Sequence, residues 1–200
     1  WCRFFLWVSR VKVRVNGWER VGNLKQCIYV SNHASWFDIP AILAGIPDQI
    51  RIMFKKELTR VPLWGWALKI GHYIAVDRAN PKEAMSSIER AAEKIRNGVS
   101  VLLFAEGTRT RDGNLQPFKR GAFSLAAKSG VPIVPLTINN SFRILPKGSL
   151  RVRPADIEVV VDAPIATSGI EDREGERRLM ERVRQIIERN FAPPKPVTES

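Results

Sequence analysis

Cysteine is nearly missing from this chain of 200 residues: Cys2 and Cys27 are the only two. Two thiols cannot build a disulfide framework, and neither lies in a spacing that holds zinc. A reducing compartment is therefore the expectation. Histidine is equally scarce, with His33 and His72 alone, so imidazole chemistry has only two candidates. No run of about 20 apolar residues occurs, so these residues encode no complete transmembrane helix, and no signal peptide is recognisable. No Gly-x-Ser-x-Gly elbow is present to supply a hydrolase nucleophile. No internal repeat and no dividing linker interrupts the chain. Acids are in deficit as well: 20 Asp and Glu face 32 Lys and Arg, a formal charge of +12. Such a surplus implies an anionic partner, whether a phosphate-bearing substrate, an anionic membrane surface or nucleic acid. The basic residues are scattered and no nucleic-acid motif accompanies them, which argues against the last.

What is present reads as one α/β domain over residues 1–200, long enough for a full hydrophobic core. Residues 1–10 mix aromatics with Arg3 and Arg10. They fit either the end of a membrane-associated helix or a helix packed on the core. Val11, Val13 and Val15 alternate with Lys12 and Arg14 as in a half-exposed strand, and Asn16-Gly17 is a turn signal. Buried strands are predicted at 27–30, 50–54, 73–76 and 101–104, the last a continuous apolar run suited to the sheet centre. Helices are predicted from about 35 to 44, over 62–68, from Asn80 and Pro81 to Gly98, after Gly121, and from about 171 to 191. Residues 131–138 contain Pro132 and Pro135, which places that strand near an edge or makes it irregular. Strands near 150–152 and 157–161 are expected to pair, and 192–200 to form a loose tail.

Two stretches carry chemistry. The first is Ser31-Asn32-His33-Ala34-Ser35-Trp36-Phe37-Asp38-Ile39-Pro40, entered from a buried strand. On one continuous helix His33 and Asp38 would point roughly 140° apart. They can meet only if His33 lies in the loop and Asp38 in the first turn of the next helix, with Asn32 and Ser35 breaking and capping the start. Asp38 would then hold one ring nitrogen and leave the other free as a base acting on a substrate hydroxyl. A helix cap beside a surface histidine fits the same residues, and this motif alone leaves both readings open. The second stretch is Ala105-Glu106-Gly107-Thr108-Arg109-Thr110, at the end of the 101–104 strand. Arg109 offers a planar fork for phosphate oxygens. Gly107 lets the backbone approach a ligand. Glu106 and Thr108 would shape the loop, and the basic run Phe118-Lys119-Arg120 opens a helix that could face an anion. A glycine-containing turn with surface charges is the plain alternative. Lys55 at a strand end and Arg78 after another are further cations that could meet an anion. Trp64 and Trp66 suit either an apolar groove or a core helix.

In order along the chain, four blocks resemble the glycerolipid acyltransferase family. They are Asn32-His33-x-x-x-x-Asp38, Gly71-His72-Tyr73-Ile74-Ala75-Val76-Asp77-Arg78, Phe104-Ala105-Glu106-Gly107-Thr108-Arg109 and Val131-Pro132-Ile133-Val134-Pro135. The resemblance spans roughly residues 11–165. The family usually has Pro where this chain has Ala105, and often Ser at Thr110. The resemblance implies a mixed, mostly parallel sheet flanked by helices. It implies acyl transfer from acyl-coenzyme A or acyl carrier protein to the free hydroxyl of a lysophosphatidic acid, at the cytoplasmic face of a membrane and without cofactor or metal. His33 would be the base and Asp38 its orienting acid, with backbone amides near His33 as oxyanion donors. Arg109, then Arg78 and Lys55, would bind the phosphate, and Trp64 and Trp66 would line the acyl groove. Another lysolipid or glycerol-3-phosphate as acceptor, a thioesterase, and a non-catalytic module binding anionic lipid or nucleic acid are the competing readings.

Overall fold

Residues Ile28–Ser31 form a strand, β2, in which no side chain reaches solvent. Alternate side chains leave a strand on opposite faces. Ile28 and Val30 enter one apolar cluster, and Tyr29 enters another. A strand apolar on both faces needs helices on both, and the chain supplies them. The computed structural model describes residues 1–55, 74–76 and 81–194. In chain order these residues form α1 (Cys2–Val8), β1 (Val13–Asn16), a 3₁₀ turn (Trp18–Val21), β2, α2 (Asp38–Gly45), β3 (Ile50–Lys55) and β4 (Ile74–Val76). They continue with α3 (Pro81–Arg96), β5 (Ser100–Phe104), α4 (Gly121–Ser129), β6 (Ile133–Asn139), α5 (Ser141–Ile144), β7 (Ile157–Val161) and α6 (Arg173–Asn190).

The strands lie in the order β1-β7-β6-β2-β5-β3-β4. From β6 to β4 every neighbouring pair is parallel; β7 runs antiparallel to β6 and parallel to β1. This is the mixed, mostly parallel α/β architecture expected. Helices α3, α4 and α6 cover one face through residues such as Ile95, Phe123 and Val183. Helices α1 and α2 cover the other through Leu6, Ala41 and Ile42. Burying each Leu, Ile, Val or Phe among these contributes about 1.5–3 kcal/mol relative to leaving it in water. Gly98, at φ +96°, follows α3, and Asp172 caps α6 by accepting from the Gly175 N–H at 2.6 Å. Among the described residues no helix is long and apolar enough to cross a membrane.

Three expectations are corrected. Strand β6, expected near an edge or irregular, is a regular interior strand, third from the β1 edge and buried throughout between β2 and β7. Its Pro135 is tolerated because it lies level with Asp162, just past the end of β7, where the Pro135 carbonyl still accepts the Asp162 N–H at 3.0 Å. The proline therefore removes one donor at the ladder's last rung. Residues 150–152 form no strand; β7 takes β6 and β1 as partners, and Leu150 stands 99% exposed. Helix α2 begins at Asp38 rather than near Ser35, because Asp38 itself satisfies the amides that precede it. The apolar segment at 62–68 with Trp64 and Trp66, Asn80, Arg78 and the tail from 195 to 200 lie outside the described residues.

Candidate active site

The register of the central sheet brings the two chemical stretches together. Ser31 at the end of β2 is level with Phe104 at the end of β5. The loops that follow are laced strand to strand: the Ala105 N–H donates to the Ser31 carbonyl at 2.9 Å, and the Thr110 N–H to the His33 carbonyl at 2.9 Å. Proline, the residue the resemblance expects at 105, could not make the first of these bonds.

His33 lies in the loop and Asp38 in the first turn of α2. His33 Nδ1 lies 2.7 Å from Asp38 Oδ2. The same oxygen accepts the Ala34 N–H at 2.7 Å and the Ser35 N–H at 2.8 Å. An ionised carboxylate only accepts, so Nδ1 carries the proton and Nε2 presents a lone pair. The Asp38 side chain is fully buried and that of His33 is 14% exposed. The imidazole stacks on the Phe104 ring at 3.8 Å between centroids and 13° between planes. One face of the base is thus covered by an apolar ring, while its tautomer is set by the acid.

Asn32 does more than break the strand. Its Nδ2 donates to the Ile138 carbonyl at 2.9 Å, and its Oδ1 accepts the Ile138 N–H at 2.8 Å. The side chain replaces a β2 backbone rung to β6 and so fixes the start of the His33 loop. Ser35 Oγ accepts the Phe37 N–H at 3.3 Å and donates to the Leu145 carbonyl at 3.0 Å.

Glu106 reaches across from the β5 loop, where its Oε1 accepts the His33 N–H at 3.1 Å. It is 2% exposed, and its Oε2 has no partner among the described residues. Burial pushes its carboxyl up to about 7, against the pull of the His33 and Gln116 N–H groups. The amides of His33, Ala34, Ser35, Phe37 and Asp38 are therefore all engaged. None of these five is free to serve as the expected oxyanion donor.

Gly107 adopts the left-handed conformation at φ +71°, and its N–H closes a turn on the Phe104 carbonyl at 3.0 Å. Thr108 is exposed and Arg109 half-buried. The Arg109 guanidinium lies over the Trp36 ring, 4.5 Å from its centroid. Burial lowers its pKa, and the nearby Asp38 charge opposes that shift. Stacking on Trp36 holds the fork beside the His33 loop. Strand β3 ends at Lys55 on the same edge of the sheet, since Ile52 is level with Leu102 of β5. Arg78 was expected to join these cations and lies outside the described residues.

One cation escaped the sequence reading. Lys147 Nζ donates to Thr108 Oγ1 at 3.1 Å and to the Arg109 carbonyl at 3.2 Å. The available signal was Arg143, Lys147, Arg151 and Arg153 with no acid between them. Reading 150–152 as a strand hid it.

The Acyltransferase family model matches residues 12–139. A chloroplast 1-acyl-sn-glycerol-3-phosphate acyltransferase of Brassica napus is 38% identical over 140 residues, covering 70% of this chain and 40% of that protein. The 1-acyl-sn-glycerol-3-phosphate acyltransferase of Pseudomonas aeruginosa is 33% identical over 186 residues, covering 90% of this chain and 70% of that one. The crystal structure of the 1-acyl-sn-glycerophosphate (LPA) acyltransferase of Thermotoga maritima superposes with a TM-score of 0.79 at 29% identity, covering 94% of this chain and 73% of that one. The chain spans about half the length of the plant relatives it matches. The matched span runs from β1 through β6 and takes in both loops of the site, and the chain belongs to the Acyltransferase family.

Proposed function

We propose that this chain moves a fatty acyl group from an acyl thioester, on coenzyme A or acyl carrier protein, to the free hydroxyl of 1-acyl-glycerol-3-phosphate. The product is phosphatidic acid. The observation that carries this reading is the His33 Nδ1–Asp38 Oδ2 contact of 2.7 Å, with Nε2 left as a base and Arg109 on the adjoining loop. The relatives' names supply the acceptor.

In this mechanism His33 Nε2 takes the hydroxyl proton as the oxygen attacks the thioester carbonyl. Asp38 stabilises the imidazolium that forms. Collapse of the tetrahedral intermediate breaks the carbon–sulfur bond, and the imidazolium returns its proton to the departing thiolate. A positioned base contributes on the order of 10²–10⁴ in rate. The remainder comes from holding two substrates together and stabilising the oxyanion. Arg109 takes the acceptor phosphate first, with Lys55 and Arg78 as secondary partners; Glu106, Gly107 and Thr108 hold that loop in shape. The Trp64–Trp66 segment lines the acyl chain. The base needs no metal and no cofactor. Residues 1–200 act as one domain at the cytoplasmic face of a membrane. Trp1, Phe4 and Trp7 of the α1 region, 98, 66 and 73% exposed, enter the bilayer interface beside Arg3 and Arg10.

The test is thiol release from palmitoyl-coenzyme A in mixed micelles, with and without lysophosphatidic acid. Acceptor-dependent release with phosphatidic acid as product is expected. His33→Ala should remove turnover by on the order of 10²–10⁴ while acceptor binding persists. Near-native turnover in that variant would refute the base assignment. Release without acceptor would mark a thioesterase.

A further inference from the structure

Between α5 and β7 the chain runs without regular structure, and it carries a charge pattern the proposed chemistry does not use. Arg143 at the end of α5, then Lys147, Arg151 and Arg153, occur with no acid before Asp156, and Asp156 is paired with Arg14 at 2.7 Å. Among the described residues none of the four basic groups forms an ion pair. Between them stand Leu150 and Val152, 99 and 42% exposed. A single exposed leucine needs no explanation. This one is different because the loop under it is built. The Ser149 N–H closes a turn on the Pro146 carbonyl at 3.1 Å, and the Arg151 N–H bonds Ser149 Oγ at 3.1 Å. The Arg153 N–H is tied to the Ile144 carbonyl at 2.9 Å. Ordered backbone therefore holds Leu150 out into solvent.

The loop is also fastened to the site at two points: Ser35 Oγ on the Leu145 carbonyl, and Lys147 on Thr108 and the Arg109 carbonyl. A line of contacts continues to α1. Arg109 stacks on Trp36, the adjoining Phe37 ring lies 5.0 Å from that of Phe5, and Phe5 sits among the exposed aromatics. We propose that residues 146–153 are a second membrane contact, in which Leu150 and Val152 enter the interface of an anionic bilayer while Arg151 and Arg153 meet its phosphates. Apolar residues interleaved with unpaired cations match such a surface in both components. Lys147 links this contact to the Arg109 loop, so the bilayer and the phosphate-binding end of the site are held in register. The proposal rests on the membrane reading given above.

Flotation of the chain with vesicles of phosphatidylcholine, alone or mixed with phosphatidylglycerol, tests it. Arg151→Gln/Arg153→Gln should weaken binding to the anionic vesicles roughly 30-fold and leave binding to neutral ones unchanged. Leu150→Ser should weaken both roughly tenfold. Turnover of a short-chain lysophosphatidic acid dissolved as monomers should be unaffected in each variant. Trp7→Ser separates the two readings. If it weakens binding while the loop variants bind like the parent, α1 alone docks and the loop proposal falls. If the parent binds neither vesicle, the membrane reading falls and takes the loop with it. Loss of turnover on the monomeric acceptor would place the loop's role inside the site and overturn the proposal.

Discussion

Replacing Glu106 by Gln keeps a carbonyl oxygen for the His33 N–H and removes only the ionisable proton. Burial holds the Glu106 carboxyl up to about 7, from an ordinary 4.5. The His33 and Gln116 N–H groups oppose that rise, Asp38 adds to it, and Arg184 opposes it. In the unfolded chain Glu106 titrates near its ordinary value, so between the two values the native state binds more protons. The raised pKa therefore contributes stability that is present below about pH 4.5 and lost as pH rises through about 7. The interval is worth on the order of 3 kcal/mol. At 2% exposure little solvent screening discounts it. Glu106→Gln should escape the loss: its urea midpoint should match the parent's near pH 4.5 and exceed it at about pH 8.5, with the slope of the transition unchanged. A difference independent of pH, or a less stable variant at about pH 8.5, would refute the argument that a desolvated acid sits behind His33. Glu106→Ala is the contrasting case, because it leaves the His33 N–H without an acceptor, at a cost of about 1–3 kcal/mol at every pH.

Asp38→Asn should lower kcat by on the order of 10²–10⁴ with little change in the KM for the acceptor, since it alters the tautomer and charge support of His33 rather than substrate contacts. Steady-state kinetics would show the split. Asn32→Ala should destabilise the fold by about 2–4 kcal/mol, because the buried Ile138 N–H and carbonyl both lose their partner; urea unfolding measures it. Arg109→Ala should chiefly raise the KM for the phosphorylated acceptor, roughly tenfold or more, with kcat changed far less.

The order of strands and helices could be read from the sequence because periodicity and punctuation agreed along most of the chain. The apolar runs at 27–30 and 101–104 became adjoining strands at the sheet centre, and Gly98 stands just past a helix end. The spacing left the His33–Asp38 contact as one of two open readings, admitted only across a loop-to-helix junction, and the contact occurs at that junction. The failures share one cause: the sequence shows a residue's local preference, while its partner decides its role. Pro135 argued for an edge, yet β7 ends one rung before its missing donor matters. Asn32 was expected as a cap and instead bonds residue 138, more than a hundred positions away. Lys147 had only an acid-free basic run to mark it, because it meets Thr108 through the return of the chain after β6.

The same accounting separates what the site holds fixed from what it leaves adjustable. His33 has its N–H on Glu106, its carbonyl on Thr110, its Nδ1 on Asp38 and one ring face on Phe104. Among the described residues only its Nε2 has no partner of this kind. For the base proposed above, restraint at four points means little reorganisation when the proton moves, which is how a preorganised site lowers a barrier. It also leaves the dyad indifferent to the rest of the acceptor, since any hydroxyl delivered to Nε2 meets the same base. In the proposed reaction, discrimination between acceptors falls to the cations around His33. The Arg109 guanidinium lies over the Trp36 ring, and Lys147 bonds the Arg109 carbonyl. Exchanging these cations should therefore change which lysolipid is used, and exchanging the dyad should change only how fast.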